Sequence, residues 1–149
     1  MMLRRFTARC CLAAVAFLAA CVVEKEKPLD LTKPRKLIEE QDYEQAIQAL
    51  DQAEKHFPQS DSVYYYRGLS HAMLDHYTQA LADFDSALHH NPGMPDAHFM
   101  KGSILLAKGD KISGCVELEL ARENGHPKAS EEMEKHGCVK IDKPKQDAE

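Results

Sequence analysis

Tyr77-Thr78-Gln79-Ala80-Leu81-Ala82-Asp83-Phe84-Asp85-Ser86-Ala87-Leu88 places its apolar residues at 77, 80, 81, 84, 87 and 88. This is the i, i+3, i+4, i+7 spacing of one helical face. The opposite face is expected to carry Gln79 and Asp83, with Asp83 and Asp85 both solvated. Ala80 and Ala87 are small where a neighbouring helix must come close, and Phe84 between them is large enough to fill the gap, so two helices interlock here. The same residue types return every 34 positions on both sides of this stretch. Ala46, Ala80 and Gly114 form one series, Leu50, Phe84 and Leu118 a second, and Ala53, Ala87 and Ala121 a third. Ile47, Leu81 and Cys115, and Gly68 with Gly102, continue the register, and Pro58 and Pro92 end the first two units at one offset. A fixed period of this length is the signature of stacked helical hairpins.

A 34-residue helix-turn-helix unit with Ala-x3-Phe and a closing Pro resembles the tetratricopeptide repeat. The second unit carries the pattern most fully, with Tyr64-x2-Arg67-Gly68-x2-His71, Ala80-x3-Phe84 and Pro92. The third has His98-x2-Lys101-Gly102-x2-Leu105 and Gly114-x3-Leu118, with Pro127 one residue late. The first keeps Tyr43, Ala46, Leu50, Ala53 and Pro58, but Pro34 stands where its first helix would have Gly, so that helix is shortened, with Thr32 and Pro34 as its start signals. The resemblance implies an all-α fold, a short helix-turn-helix solenoid. Its units span about 33–59, 60–93 and 94–126, with a closing helix at 127–137 that turns Ala129 and Met133 inward and ends at Gly137.

Residues 1–20 read as an export signal: Arg4, Arg5 and Arg9 precede an apolar run too short for a permanent membrane span. Leu18-Ala19-Ala20-Cys21 resembles the lipobox of bacterial lipoproteins, which implies cleavage before Cys21 and a lipid on its sulfur. The alternative is a plain secretory signal with Cys21 an incidental thiol. Residues 21–32 then form a lipid-anchored tether and 138–149 a flexible charged tail. Removing 1–20 takes away three Arg and no acid, moving the formal charge from −5 to −8, so acyl chains rather than anionic lipid must hold the protein to a membrane. By the same resemblance, Val22 after the lipidated Cys favours the outer membrane, facing the periplasm. Cys115 opens the third unit's second helix and Cys138 follows the closing helix. Antiparallel packing and an oxidising compartment would join Cys115 to Cys138; otherwise Cys115 is a small core residue and Cys138 is free.

An acidic chain has no general pull toward nucleic acid. No two of the eight His residues share one helical face at i, i+4, so no metal site is expected, and neither is a cofactor. Phosphate-binding Gly loops, Gly-x-Ser-x-Gly and a Cys with an evident His base are absent from the sequence, which argues against an enzyme. The family resemblance implies instead a concave groove, lined by the first helices of successive units, that holds a protein or peptide segment. The matching positions are Tyr65, Leu69, Ala72 and Met73, then Phe99, Ser103 and Leu106. Aromatic and Met side chains there suit an apolar partner, and the groove lacks the Lys and Asn residues with which some members clamp a C-terminal carboxylate. Tyr65 and Phe99 have a second reading, covering the core or touching the closing helix. Two functions follow. One is a membrane-anchored adaptor in envelope assembly or secretion; the other is a self-associating structural lipoprotein, a homodimer covering the edge that Pro34 leaves apolar.

Overall fold

The computed structural model describes residues 28–138. The export signal 1–20, Cys21, most of the 21–32 tether and the tail from 139 onward lie outside the described residues. Seven helices and no strand occur among the described residues: α1 (Thr32–Glu39), α2 (Tyr43–His56), α3 (Asp61–Met73), α4 (Tyr77–His90), α5 (Pro95–Ala107), α6 (Lys111–Glu123) and α7 (Ala129–Lys135). They pack as hairpins α1–α2, α3–α4 and α5–α6, each laid on the next, with α7 closing the array against α6. Helix α1 has eight residues. It starts at Thr32, whose N–H is accepted by Asp30 Oδ1 at 2.9 Å, and Pro34 is its buried residue.

The 34-residue period is written in the backbone as well as in the side chains. The turns inside the three hairpins each pass through one residue in the left-handed region, Gln41, Asp75 and Gly109, at φ of 62°, 57° and 85°. The amide after it reaches back to a carbonyl five residues earlier: Asp42 to Leu37 at 2.8 Å, His76 to His71 at 2.9 Å and Asp110 to Leu105 at 2.9 Å. This helix-stop pairs carbonyls that the end of a helix would otherwise leave open. Only Gly109 adopts it without the steric cost of a side chain, about 1 kcal/mol. Asp42 and Asp110 then cap the following helices by accepting from Gln45 and Ser113, whereas His76 at the same offset makes no side-chain cap.

Inside the second hairpin, Phe84 is fully buried. It lies so close to Gly68 that a Cβ there would be 3.0 Å from its ring. In the third hairpin Leu118 takes the place of Phe84, and α5 and α6 cross more tightly: a Cβ on Gly114 would come within 2.7 Å of Leu106 Cγ. Ala80, Phe84 and Ala87 form one core cluster with Ala97 and Ile104 of α5, so the second and third units share an interior.

A polar ladder repeats beside this core. Arg67 on α3 donates from Nε and Nη2 to Asp83 on α4, at 2.8–3.1 Å, and from Nη1 to Asp51 on α2 at 2.8 Å and to Glu54. At the positions 34 residues on, with other side chains, Lys101 meets Glu117 and Asp85, both at 2.7 Å. A second rung fixes the loops between hairpins, where Tyr64 Oη donates to the Pro58 carbonyl and His98 Nε2 to that of Pro92, each at 2.9 Å. The other ring nitrogen of His98 lies 2.7 Å from Glu117 Oε2, so both nitrogens face oxygen acceptors.

The ladder corrects one expectation. Asp83 is not solvated but 6% exposed, under Arg67. Its position is three residues after Ala80 and four before Ala87, on the face that packs, and the Arg67 guanidinium supplies its hydrogen bonds. Asp85 and Gln79 do face outward.

Candidate partner-binding face

The seven groove positions expected from the sequence fall on α3 and α5, the first helices of adjacent hairpins, which touch each other. They do not form a uniform lining. Tyr65 and Ala72 pack on the core cluster, and the Tyr65 ring lies 6.0 Å from that of Phe84 and 5.3 Å from Tyr66. Ser103 donates its hydroxyl to the Phe99 carbonyl on its own helix at 2.9 Å. Leu106 sits against Gly114 at the α5–α6 crossing. Leu69 is half-buried, and Met73 is 53% exposed.

Phe99 stacks nearly parallel on His126, with ring centroids 4.0 Å apart. His126 Nε2 lies 3.4 Å from Asp96 Oδ1. The phenol of Tyr65 is pushed up to about 12, first by burial and then by the negative charges of Asp96 and of Tyr66. Phe99, His126 and Asp96 thus form one chain of contacts between α5 and the loop that precedes α7, and the charge of Asp96 acts on Tyr65 of α3. The sequence reading missed Asp96 and His126. They come from a helix start and from a loop after a shifted repeat, and no spacing rule joins them to Tyr65. Arg35 of α1 extends the same side over the Tyr66 ring, at 5.9 Å.

Cys115 and Cys138 are bonded to each other, with Cα atoms 5.4 Å apart. Gly137 at φ 62° and the Cys138 amide, bonded to the Met133 carbonyl at 2.8 Å, bring the chain back to α6. Among the described residues, no group of three or more His, Cys, Asp and Glu could hold a metal ion, and no helix is long and apolar enough to cross a membrane.

Comparison with known proteins places this arrangement. A tetratricopeptide repeat family model matches residues 35–75 and 74–111. A tetratricopeptide repeat and J domain-containing co-chaperone of Cryptococcus neoformans, DNJ1, is 31% identical over 84 residues, 56% of this chain but 16% of that protein. Among solved structures, the first TPR of Spaghetti (RPAP3) bound to the HSP90 peptide SRMEEVD superposes with a TM-score of 0.67 at 19% identity, covering 70% of this chain and 85% of that one. The TPR2B domain of yeast Sti1 in complex with an Hsp70 peptide gives 0.63 at 20% identity, covering 69% and 86%. These structures share the all-α solenoid fold, an interaction scaffold rather than a typical catalytic one. The chain belongs to the tetratricopeptide repeat family.

Proposed function

We propose that the chain is an adaptor that binds a protein or peptide segment of apolar character along α3 and α5. The observation that carries this reading is Met73, more than half exposed at the end of a side on which Leu69, Tyr65 and Phe99 are only half-buried. A flexible thioether beside aromatic edges suits an apolar ligand. The similar solved structures hold HSP90 or Hsp70 peptides, and SRMEEVD is acidic at its end. Here Asp96 faces His126, Arg35 lies over Tyr66, and no Lys or Asn stands at 65, 69, 99 or 103, so an acidic tail would find no clamp at those positions. The adaptor works at a membrane, held by lipid on Cys21, in the cell envelope and facing the periplasm from the outer membrane. The lipobox-like Leu18-Ala19-Ala20-Cys21 supports that location.

The test is in-cell crosslinking and pull-down with the full chain, wild type against Met73→Glu, after matching their thermal unfolding. A specific partner captured by wild type and lost with the variant is the expected result. Equal capture by both, or capture of the chain itself alone, overturns the groove reading. Labelled palmitate incorporated by wild type and not by Cys21→Ser is expected from the anchor; label unchanged in the variant would exclude it.

A further inference from the structure

Lys33, Arg67 and Lys101 are 34 residues apart, one on the first helix of each hairpin. Arg67 bridges Asp83, on the second helix of its own hairpin, and Asp51, on that of the preceding hairpin, and Lys101 bridges Glu117 and Asp85 in the same way, at 2.7–2.8 Å. In the first hairpin the position of Asp83 and Glu117 is taken by Ala49, and among the described residues no helix precedes α1. Lys33 is exposed there, at an open recess of about 270 Å³ lined by Lys33, Leu37, Gln45, Gln48, Ala49 and Gln52. Positions 33, 37 and 49 correspond to Arg67, His71 and Asp83, which meet on the α2 side of the second hairpin: Arg67 joins Asp83 to Asp51, and His71 lies 3.9 Å from Asp83. The recess is thus the place where, one unit on, a preceding helix brings its acid.

The helices that take this place further along the array state what fits it. Asp51 and Asp85 each follow, by four residues, an apolar one, Ile47 and Leu81, and Leu81 packs against the core cluster shared with α5. Residues four apart lie on one helical face. Residues 32–36 carry three cations and no acid, in a chain of net charge −5, so the edge complements a carboxylate. We propose that the α1–α2 edge is a second docking surface, separate from the α3–α5 side, for an amphipathic helix of a partner protein that presents an apolar residue and, four positions on, a carboxylate. The carboxylate pairs with Lys33 and the apolar side chain goes to Leu37 and Ala49. The amides of Gln45, Gln48 and Gln52, along one side of α2, both donate and accept, which suits the polar flank of such a helix.

The probe is a labelled, amidated synthetic peptide of residues 77–90, in which Gln79 and Asp83 are replaced by a staple that holds it helical; Asp85 is then its only carboxylate. Its fluorescence anisotropy is titrated with the full chain. Saturable binding is expected, about tenfold weaker with Lys33→Glu, whose thermal unfolding should match wild type because Lys33 is exposed. A peptide carrying Asp85→Lys should bind the Lys33→Glu chain to within about threefold of the original pair. Met73→Glu, on the α3–α5 side, should leave binding unchanged, so failure here and failure of the groove are told apart. No saturable binding, or equal binding by wild type and Lys33→Glu, overturns the proposal. So does a loss with Met73→Glu as large as that with Lys33→Glu, which would put the peptide in the groove. A mass by light scattering that rises with concentration in wild type but not in Lys33→Glu would give the edge to a second copy and overturn it too.

Discussion

Between α3 and α4 a phenylalanine fills the interior; between α5 and α6, 34 residues on, a leucine does, and the crossing tightens onto Gly114. The second hairpin shares its core with α5 and has a guanidinium beneath which Asp83 is buried. The third has an ammonium in the same position, a histidine where the second has a tyrosine, and a disulfide to the closing segment. One repeat geometry therefore tolerates two means of holding it. The middle unit leans on side-chain volume and a bidentate ion pair, and the last unit leans on close backbone approach and a covalent link.

The largest effect expected from this contrast is at Phe84, which is fully buried. Phe84→Ala removes a ring shared by two hairpins and should cost about 4 kcal/mol. Leu118→Ala should cost about 3 kcal/mol, confined more to the last hairpin. Urea unfolding of both variants measures the difference, and a Leu118 variant falling lower than the Phe84 variant would reverse the assignment of the stronger core.

Next comes the disulfide. It closes a 23-residue separation, so Cys115→Ala plus Cys138→Ala should lose about 3 kcal/mol in the chain-entropy picture. The loss belongs to one end of the array, because a repeat protein can open from its terminus. Hydrogen exchange should accelerate in α6 and α7 before it does in α3 and α4. Uniform acceleration would mean that the array unfolds as one block and that the two hairpins are not separately held.

The ion ladder gives a smaller, sharper contrast. Asp83→Asn leaves the partly buried Arg67 without its bidentate partner and should cost about 2 kcal/mol, allowing for the solvent that reaches the guanidinium edge. Asp85→Asn removes a partner of Lys101 that is 60% exposed and should cost well under 1 kcal/mol. Denaturant midpoints measured in low and high salt check both, with only the Asp85 effect screened away.

These positions also show what a sequence can disclose. The apolar series through Ala80, Phe84 and Ala87 was legible because burial repeats with the unit. The charged series was present too, as Asp51/Asp85, Arg67/Lys101 and Asp83/Glu117, each 34 apart. Equating charge with solvent hides its acidic half, whereas the angular position of Asp83 already sets it among the packing residues. The left-handed turns at Gln41 and Asp75 carry no side-chain signal, since the demand comes from the carbonyls of the preceding helix rather than from the residue itself. At the candidate face, Tyr65 and Phe99 followed from register alone. Asp96 and His126 did not, because their meeting depends on how the last loop folds back.

The smallest effect is at His71, where the first and third units have Leu37 and Leu105. Its Nδ1 is buried and meets no hydrogen-bonding group, and Nε2 lies 3.9 Å from Asp83. Burial lowers its affinity for a proton below the ordinary histidine value; Asp83 and Asp51 oppose this, while His76 and Arg67 add to it. The unfolded chain therefore binds the proton more readily than the folded one. The stability His71 contributes is present above the unfolded value of about 6.5 and is lost as pH falls through it toward the folded value. His71→Leu makes the second hairpin resemble its neighbours and removes this dependence. Thermal midpoints of wild type and variant should diverge on acidification from pH 7 to pH 5, with wild type falling further. A wild type that instead gained stability over that interval relative to the variant would mean that attraction to Asp83, and not burial, governs the ring.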